Sequence, residues 1–463
     1  MTAHSAFTVR GQRVVVVGAA RSGVAAAELL VRRGATVILT DMKDRIDAEA
    51  ELRSAGIALE LGGHRAETLQ AADLIVLSPG VALTQPAIAD ARAAGVPVIG
   101  ELELASRWLK GRMIAITGTK GKSTTTTLAG RMLHEAGYQV LVGGNIGNAL
   151  SAQVDQSTDR TIHVVEASSF QLQTTETFHP WMAVLLNFSP DHLDHHASLA
   201  EYAAAKARIF ANQTVNDWAV LNRDDEPSYA LAQDARSQVF TFSLYHTLVE
   251  GVIVQDDAIV RARGGEDDEI LVPLSAVKLI GAHLLSDVLA AAAVASLVGA
   301  GREAMTRAVQ GFSGLEHALE PVAEFGGIRF VNDSKATNIE SSLRAIESFN
   351  DGLVVILGGR FKGGNFTDLR DALVARHGQV VAIGEAAPLI HEALDSAVSV
   401  HDAGSDMGRA VRVAFSVASP GGTVLLAPAC SSFDMFRDYA QRGRMFKQEV
   451  ERLREDWRCT DAQ

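Results

Sequence analysis

Short apolar runs separated by stretches of helix length recur along the chain. In the first hundred residues they are Arg13–Val17, Thr36–Thr40 and Leu74–Leu77. The middle of the chain carries Met113–Ile116, Ile162–Val165 and Ala183–Asn187, and the last third carries Leu353–Leu357, Val380–Ile383 and Thr423–Leu426. Strands spaced this way predict parallel sheets with helices on their faces and ligands at the carboxyl ends of the strands. The segment Val288–Ala300 is apolar throughout but too short to span a bilayer, and it predicts a buried core helix.

A chain of 463 residues fits about three domains of ordinary size. The expected class is α/β. A Rossmann-like domain is placed at 1–102, a central phosphate-loop ATPase-like domain with a mostly parallel sheet at 103–314, and a second Rossmann-like domain at 315–463. A net charge of −13 argues against a nucleic-acid partner, because phosphate backbones are held by clustered Lys and Arg. Two cysteines, Cys430 and Cys459, are too few for a disulfide framework and fit a reducing compartment. Met1 to Arg10 has no apolar core of a signal peptide, so the expected location is cytoplasmic, without membrane insertion.

Chemistry concentrates at the ends of the apolar runs. Met113–Ile116 leads into Thr117-Gly118-Thr119-Lys120-Gly121-Lys122-Ser123-Thr124 and then a hydroxyl-rich helix. Backbone N–H groups in such a turn converge on an anion, assisted by the helix N-terminus. Lys122 is placed to reach terminal phosphates and Ser123 to ligate magnesium. The spacing is tighter than the common phosphate loop, which would need glycine where Ile116 stands. The first run ends on Gly18 to Gly23, a degenerate dinucleotide pattern with Ala20 at its second glycine, and the second ends on Asp41. This predicts a nucleotide-type domain without choosing NAD, a tight strand-to-helix turn of small residues being equally open.

Glu166 closes Ile162–Val165, where a magnesium carboxylate belongs beside a phosphate loop, although a strand-end acid is otherwise a solvated charge. Ser189 to His196 carries Asp191, His192, Asp194, His195 and His196. Asp194-His195-His196 spells a metal-dependent phosphoesterase signature, while Asp191 and His192 could instead face the cleft of Ser123 and Glu166. Lys206, among alanines on the helix Glu201 to Phe210, reads by itself as a solvated cation. Cys430 reads as a small buried residue rather than a nucleophile, and Gly358–Gly364 with Pro428–Asp434 suits a small acidic ligand.

Taken in order, Thr117–Thr124, Glu166–Leu172, Asp191–Asp194, Ala205-Lys206 and Asn332-Asp333-Ser334-Lys335-Ala336-Thr337-Asn338 resemble the motifs of the Mur ligases, over about Val14 to Lys447. The resemblance implies an ATP-dependent ligase of peptidoglycan precursor synthesis that proceeds through an acyl phosphate. It implies ATP and Mg2+ as cofactors, and UDP-N-acetylmuramoyl-L-alanine and D-glutamate as substrates of a monomer. Carried over by position, Gly118, Thr119, Lys120, Gly121, Lys122, Ser123, Thr124 and Asp333 would hold ATP. Ser123, Glu166, His192 and Lys206 would serve the metals, with Lys206 carbamylated. Lys122, His192, Lys206 and Lys335 would be catalytic. Ser22, Asp41, Ser78, Pro79, Gly80 and Asn145 would contact the UDP-sugar, and Thr337, Lys362, Ser432, Phe433 and Tyr439 the D-glutamate.

The chain departs from the family at Leu284 and Asp287, where asparagines near adenine are common, and at Ala318, where an arginine is usual. Lys120 stands where asparagine is common and could restore charge, as could Arg360 or Lys362; Met42-Lys43 follow Asp41 in place of Thr-Arg. Two alternatives therefore stay open. One is a related ligase for another amino acid such as L-glutamate; the other is a nucleotide-sugar-binding regulator without catalysis.

Overall fold

The computed structural model describes residues 7–190, 196, 198–231 and 235–461. They form three sheets with helices between the strands, the expected α/β class. The first is a five-stranded parallel sheet of β1 (Arg13–Val17), β2 (Thr36–Asp41), β3 (Ala58–Leu61), β4 (Leu74–Leu77) and β5 (Val98–Gly100), in the order β3-β2-β1-β4-β5. Strands β3 and β5 were not among the apolar runs, because Ala58–Leu61 is only half-buried and Val98–Gly100 is three residues long.

The second sheet comprises β6 (Arg112–Thr117), β7 (Gln139–Gly144), β8 (Thr161–Glu166), β9 (Met182–Leu185), β10 (Trp218–Asn222), β11 (Gln238–Ser243), β12 (Glu250–Gln255), β13 (Ala258–Arg263) and β14 (Glu269–Pro273). Its order is β14-β13-β12-β11-β10-β9-β6-β8-β7, parallel except for the β12–β13 and β13–β14 pairs. The third holds β15 (Glu320–Phe325), β16 (Ile328–Asn332), β17 (Leu353–Gly358), β18 (Gln379–Ile383), β19 (Val400–Asp402) and β20 (Thr423–Leu426), ordered β15-β16-β20-β17-β18-β19 with only β15 antiparallel. Among the described residues no helix is long and apolar enough to cross a membrane.

By compactness the chain divides into two units. One is Met1–Ala276 with Ser286–Val309, and the other is Val277–Leu285 with Gln310–Gln463; the division falls inside the helix Ala282–Val298. Val288 to Ala295 of that helix are fully buried, as its apolar run predicts. Within the first unit, the helix Glu101–Ser106 is stitched to the central sheet by two buried acids. Glu101 accepts from the Ser151 N–H at 2.7 Å. Glu103 accepts from the backbone N–H groups of Glu176, Thr177 and Phe178, from the Thr177 hydroxyl and from Arg107. Burial opposes ionisation of Glu103, but these donors outweigh it and hold its carboxyl below the usual range.

The β1-to-helix turn shows why small residues stand there. Val14–Val17 are fully buried, each worth about 1.5–3 kcal/mol of burial. The following helix, Arg21–Arg32, approaches so closely that a Cβ on Gly23 would lie 1.8 Å from the Gly18 carbonyl oxygen and 2.5 Å from Ser78 Oγ. Replacing Gly23 by alanine must therefore push the helix off β1. The expected cost is about 1–3 kcal/mol, read as a lower calorimetric midpoint for the first unit. An unchanged midpoint would show that this contact does not fix the helix.

Candidate active site

In the first unit, the phosphate loop joins β6 to the helix Lys122–Glu135. Gly121 caps the helix with φ +81, a left-handed conformation that glycine adopts without strain. A Cβ there would also meet Asp287 Oδ1 at 2.1 Å. The cap contributes no side chain and the first turn carries no acid, so the helix end presents its partial positive charge to an anion. Asn187, just past β9, pins the loop: its Oδ1 accepts from Lys120 N at 2.8 Å, its Nδ2 donates to Lys120 O, and its carbonyl accepts from Thr119 N. Sequence reading placed Asn187 only as a strand end; its signal was an amide at the tip of a strand beside the loop.

Two lysines converge on the loop. Lys122 Nζ donates to the Gly118 and Thr119 carbonyls, both at 2.8 Å, and Lys206 Nζ donates to Gly118 O at 2.7 Å. Lys206 is 1% exposed, on the helix Leu199–Ala207, with its ammonium 4.7 Å from the centre of the Tyr202 ring. The solvated-cation reading of Lys206 is therefore overturned: the helix turns this residue into the protein, where the loop carbonyl replaces water. The Tyr202 hydroxyl lies 3.2 Å from Thr119 Oγ1 and ties the same helix to the loop.

Glu166 is also buried, and β8 pairs with β6 so that Glu166 lies opposite Ile116. Its Oε1 accepts from Asn145 Nδ2 at 2.6 Å, while Oε2 is buried with no hydrogen-bond partner among the described residues. A solvated strand-end charge is thus excluded, and a carboxylate oxygen left without a donor suits a hard cation. His192 and its neighbours Asp191, Asp194 and His195 lie outside the described residues. His196 is buried, with Nε2 3.0 Å from Ser169 Oγ and its ring against Phe170 and Tyr202.

At the first sheet, Asp41 Oδ2 accepts from Ala19 N at 2.6 Å, Oδ1 accepts from Lys43 N, and buried Ser78 donates to Gly18 O at 2.9 Å. Asp41 and Ser78 thus shape one turn, with Ser22 and Pro79 half-buried and Gly80 exposed. Asn145 belongs instead with Glu166. Arg21, unremarked in the sequence, donates to Gly147 O at 3.1 Å and ties the first helix to the Gly143–Asn148 turn.

In the second unit, the loops after β16, β17 and β20 carry the remaining candidates. Asp333 is buried and accepts from Leu319 N, Lys335 is exposed, Thr337 is half-buried and Asn338 caps the helix Ile339–Glu347. Arg360 and Ser431 exchange backbone hydrogen bonds, joining the Gly358–Gly364 loop to the Cys430–Phe433 loop. Lys362 thereby stands 5.9 Å from the centre of the Phe433 ring, which is 59% exposed for an aromatic side chain. Ser432 is buried and Tyr439 is 40% exposed. Arg360 pairs with Glu385 at 3.1 Å. Leu284 packs into the apolar core of this unit. Burial pushes the Cys430 thiol up to about 12, which leaves it un-ionised and fits the buried small residue expected.

Three family models cover most of the chain: Mur ligase MurD-like, N-terminal domain at residues 12–100, Mur ligase middle domain at 116–295, and Mur ligase, glutamate ligase domain at 319–430. A curated UDP-N-acetylmuramoylalanine–D-glutamate ligase of Acidobacterium capsulatum is 48% identical over 96% of both chains. Its counterpart in Koribacter versatilis is 43% identical over 96% of this chain and 99% of its own. Among solved structures, a UDP-N-acetylmuramate-alanine ligase of Thermotoga maritima superposes with TM-score 0.60 at 19% identity, covering 96% of this chain and all of its own. A pseudomurein peptide ligase type C of Methanothermus fervidus superposes equally well at 16% identity, with the same coverage. At such identities the two structures establish the fold.

Burial raises the Asp333 carboxyl to about 7, against the lowering effects of Leu319 N–H and Lys335. Between the unfolded value near 4 and this one, the folded chain holds a proton that the unfolded chain has released. Stability from this group is therefore complete below about pH 4 and falls as pH rises towards 7, by about 1.4 kcal/mol per pH unit. Relative to wild type, Asp333→Asn should gain stability steadily from pH 4 to 7 and no further above 8, measured by thermal melts of both proteins. A constant difference across that range would contradict the buried neutral carboxyl.

Proposed function

The chain belongs to the Mur ligase family, and on that premise we propose that it adds D-glutamate to UDP-N-acetylmuramoyl-L-alanine in peptidoglycan precursor synthesis, using ATP. The observation that carries the site assignment is the lysine-lined loop at Gly118–Thr124 after β6, together with Glu166 at the end of the neighbouring β8, whose buried Oε2 has no hydrogen-bond partner among the described residues. The substrate carboxylate is a poor electrophile. It attacks the γ-phosphorus of ATP, ADP leaves, and the acyl phosphate so formed carries a good leaving group. The amine of D-glutamate then attacks the acyl carbon, the tetrahedral intermediate expels inorganic phosphate, and the amine proton passes to a base.

The residues divide this work. The N-terminal end of Lys122–Glu135 and the loop N–H groups bind the phosphates, and Lys122 exchanges its loop carbonyls for phosphate oxygens. Asp333 and Lys335 serve ATP and the reacting centre. Ser22, Asp41, Ser78, Pro79, Gly80 and Asn145 orient the nucleotide sugar, while Thr337, Lys362, Ser432, Phe433 and Tyr439 hold the amino acid. Magnesium, held by Ser123, Glu166, His192 and carbamylated Lys206, supplies charge neutralisation at the transferring phosphoryl group. Carbamylation would turn the Lys206 ammonium into an anionic carbamate, a role that fits a lysine buried in a helix against the Gly118 carbonyl. A monomeric, cytoplasmic enzyme with boundaries near residues 102 and 314 belongs to the same reading. The L-glutamate and regulator alternatives are not favoured, because the curated relatives are D-glutamate ligases over nearly the whole chain.

The test is phosphate release by purified protein given ATP, Mg2+ and UDP-N-acetylmuramoyl-L-alanine, with D-glutamate, L-glutamate or neither. Release should require D-glutamate, and Lys122→Ala should reduce it on the order of 100-fold or more. Turnover should fall in CO2-depleted buffer and return with bicarbonate, a response that Lys206→Ala should lack. Release with L-glutamate alone, or none with either amino acid, would overturn the assignment.

A further inference from the structure

Arg442 is the largest fully buried side chain among the described residues, at 0% exposure, and no role has been given to it above. It lies on the helix Tyr439–Asp461 in the second unit. Its Nε donates to Ser334 Oγ at 2.9 Å, Nη2 to Ser334 O at 2.9 Å, and Nη1 to Cys430 O at 3.0 Å. Ser334 Oγ in turn donates to Tyr439 O at 2.7 Å. A Cβ on Gly359 would lie 3.2 Å from Nη1, so the guanidinium also packs against the glycine run after β17.

These three contacts fall on the loops after β16, β20 and β17. The first carries Asp333, Lys335 and Thr337, the second Ser432 and Phe433, and the third Lys362. One planar fork therefore spans the ends of three neighbouring strands, and its own helix begins at Tyr439. The acceptors are neutral oxygens, so the cation is held by geometry that only a guanidinium supplies. Burial lowers its pKa to about 10, with Cys430 and Asp434 opposing, which keeps it protonated at neutral pH.

We propose that Arg442 is the positioning residue of the acidic amino-acid pocket: it fixes the spacing of the three loops and keeps a positive charge behind them. The inference rests on the D-glutamate ligase reading. Arg442→Lys keeps the charge but loses the fork, and it should raise the KM for D-glutamate about tenfold or more. The KM for UDP-N-acetylmuramoyl-L-alanine, held by the first unit, should stay within about twofold of wild type. A merely structural role would lower the active fraction, and so kcat, without separating the two KM values. Ser334→Ala removes one acceptor with little change of volume and carries the same test if Arg442→Lys does not fold.

Parallel changes in both KM values, or an unchanged KM for D-glutamate in a folded variant, would overturn the proposal while leaving wild-type turnover intact. Wild type lacking D-glutamate-dependent release would overturn the ligase reading and this inference together.

Discussion

The Gly118 carbonyl accepts from two ammonium groups, Lys122 at 2.8 Å and Lys206 at 2.7 Å, and the site in the first unit depends on that convergence. Two cations so close repel each other, and Lys206 has in addition lost its water, at a cost of several kcal/mol for a buried ion. Carbonyl dipoles and the Tyr202 ring offset part of this. On the proposed reading, carbamylation of Lys206 would remove one of these two charges and leave Lys122 to meet the phosphates. Asn187 and the Thr119–Tyr202 contact hold the loop open against that repulsion.

The second unit distributes its cations differently. One exposed cation, Lys362, stands on a loop and is backed by an aromatic ring, while a deeper cation, Arg442, is locked away from solvent. A flexible lysine on the surface can adapt to a ligand, and a buried fork cannot. On the proposed reading, capture falls to the first and alignment to the second. Asp333, its carboxyl raised to about 7 by burial, carries less negative charge at neutral pH than an ordinary aspartate.

Much of the fold was legible because parallel strands buried on both faces read as unbroken apolar runs, as Val14–Val17 and Leu74–Leu77 do. The antiparallel extension β12–β14 was not legible, since Glu250, Arg263 and Glu269 stand at strand ends, Arg261 breaks β13, and only part of each strand is buried. The strand, loop and helix around Gly118–Thr124 were legible from local spacing. Burial of Lys206 could not be read locally, because its partner Gly118 is 88 residues away and its alanine neighbours suit a surface or a core equally. Arg442 was hidden for the same reason: an arginine in a helix with Arg444, Lys447 and Arg452 looks like one more solvated cation. Only contacts to Ser334 and Cys430 distinguish it.

The first and third sheets, both largely parallel, differ in when their central strands are made. In the first, β1 lies at the centre and is also the earliest strand, so the sheet can grow outwards as the chain leaves the ribosome. In the third, β20 lies between β16 and β17 yet is synthesised last, and the helix bearing Arg442 follows it. Until then β16 and β17 present unpaired edges to each other across a missing strand, the kind of surface that attracts aggregation and chaperones. A chain that stops before Thr423 therefore carries a complete first sheet and a third sheet that lacks its central strand.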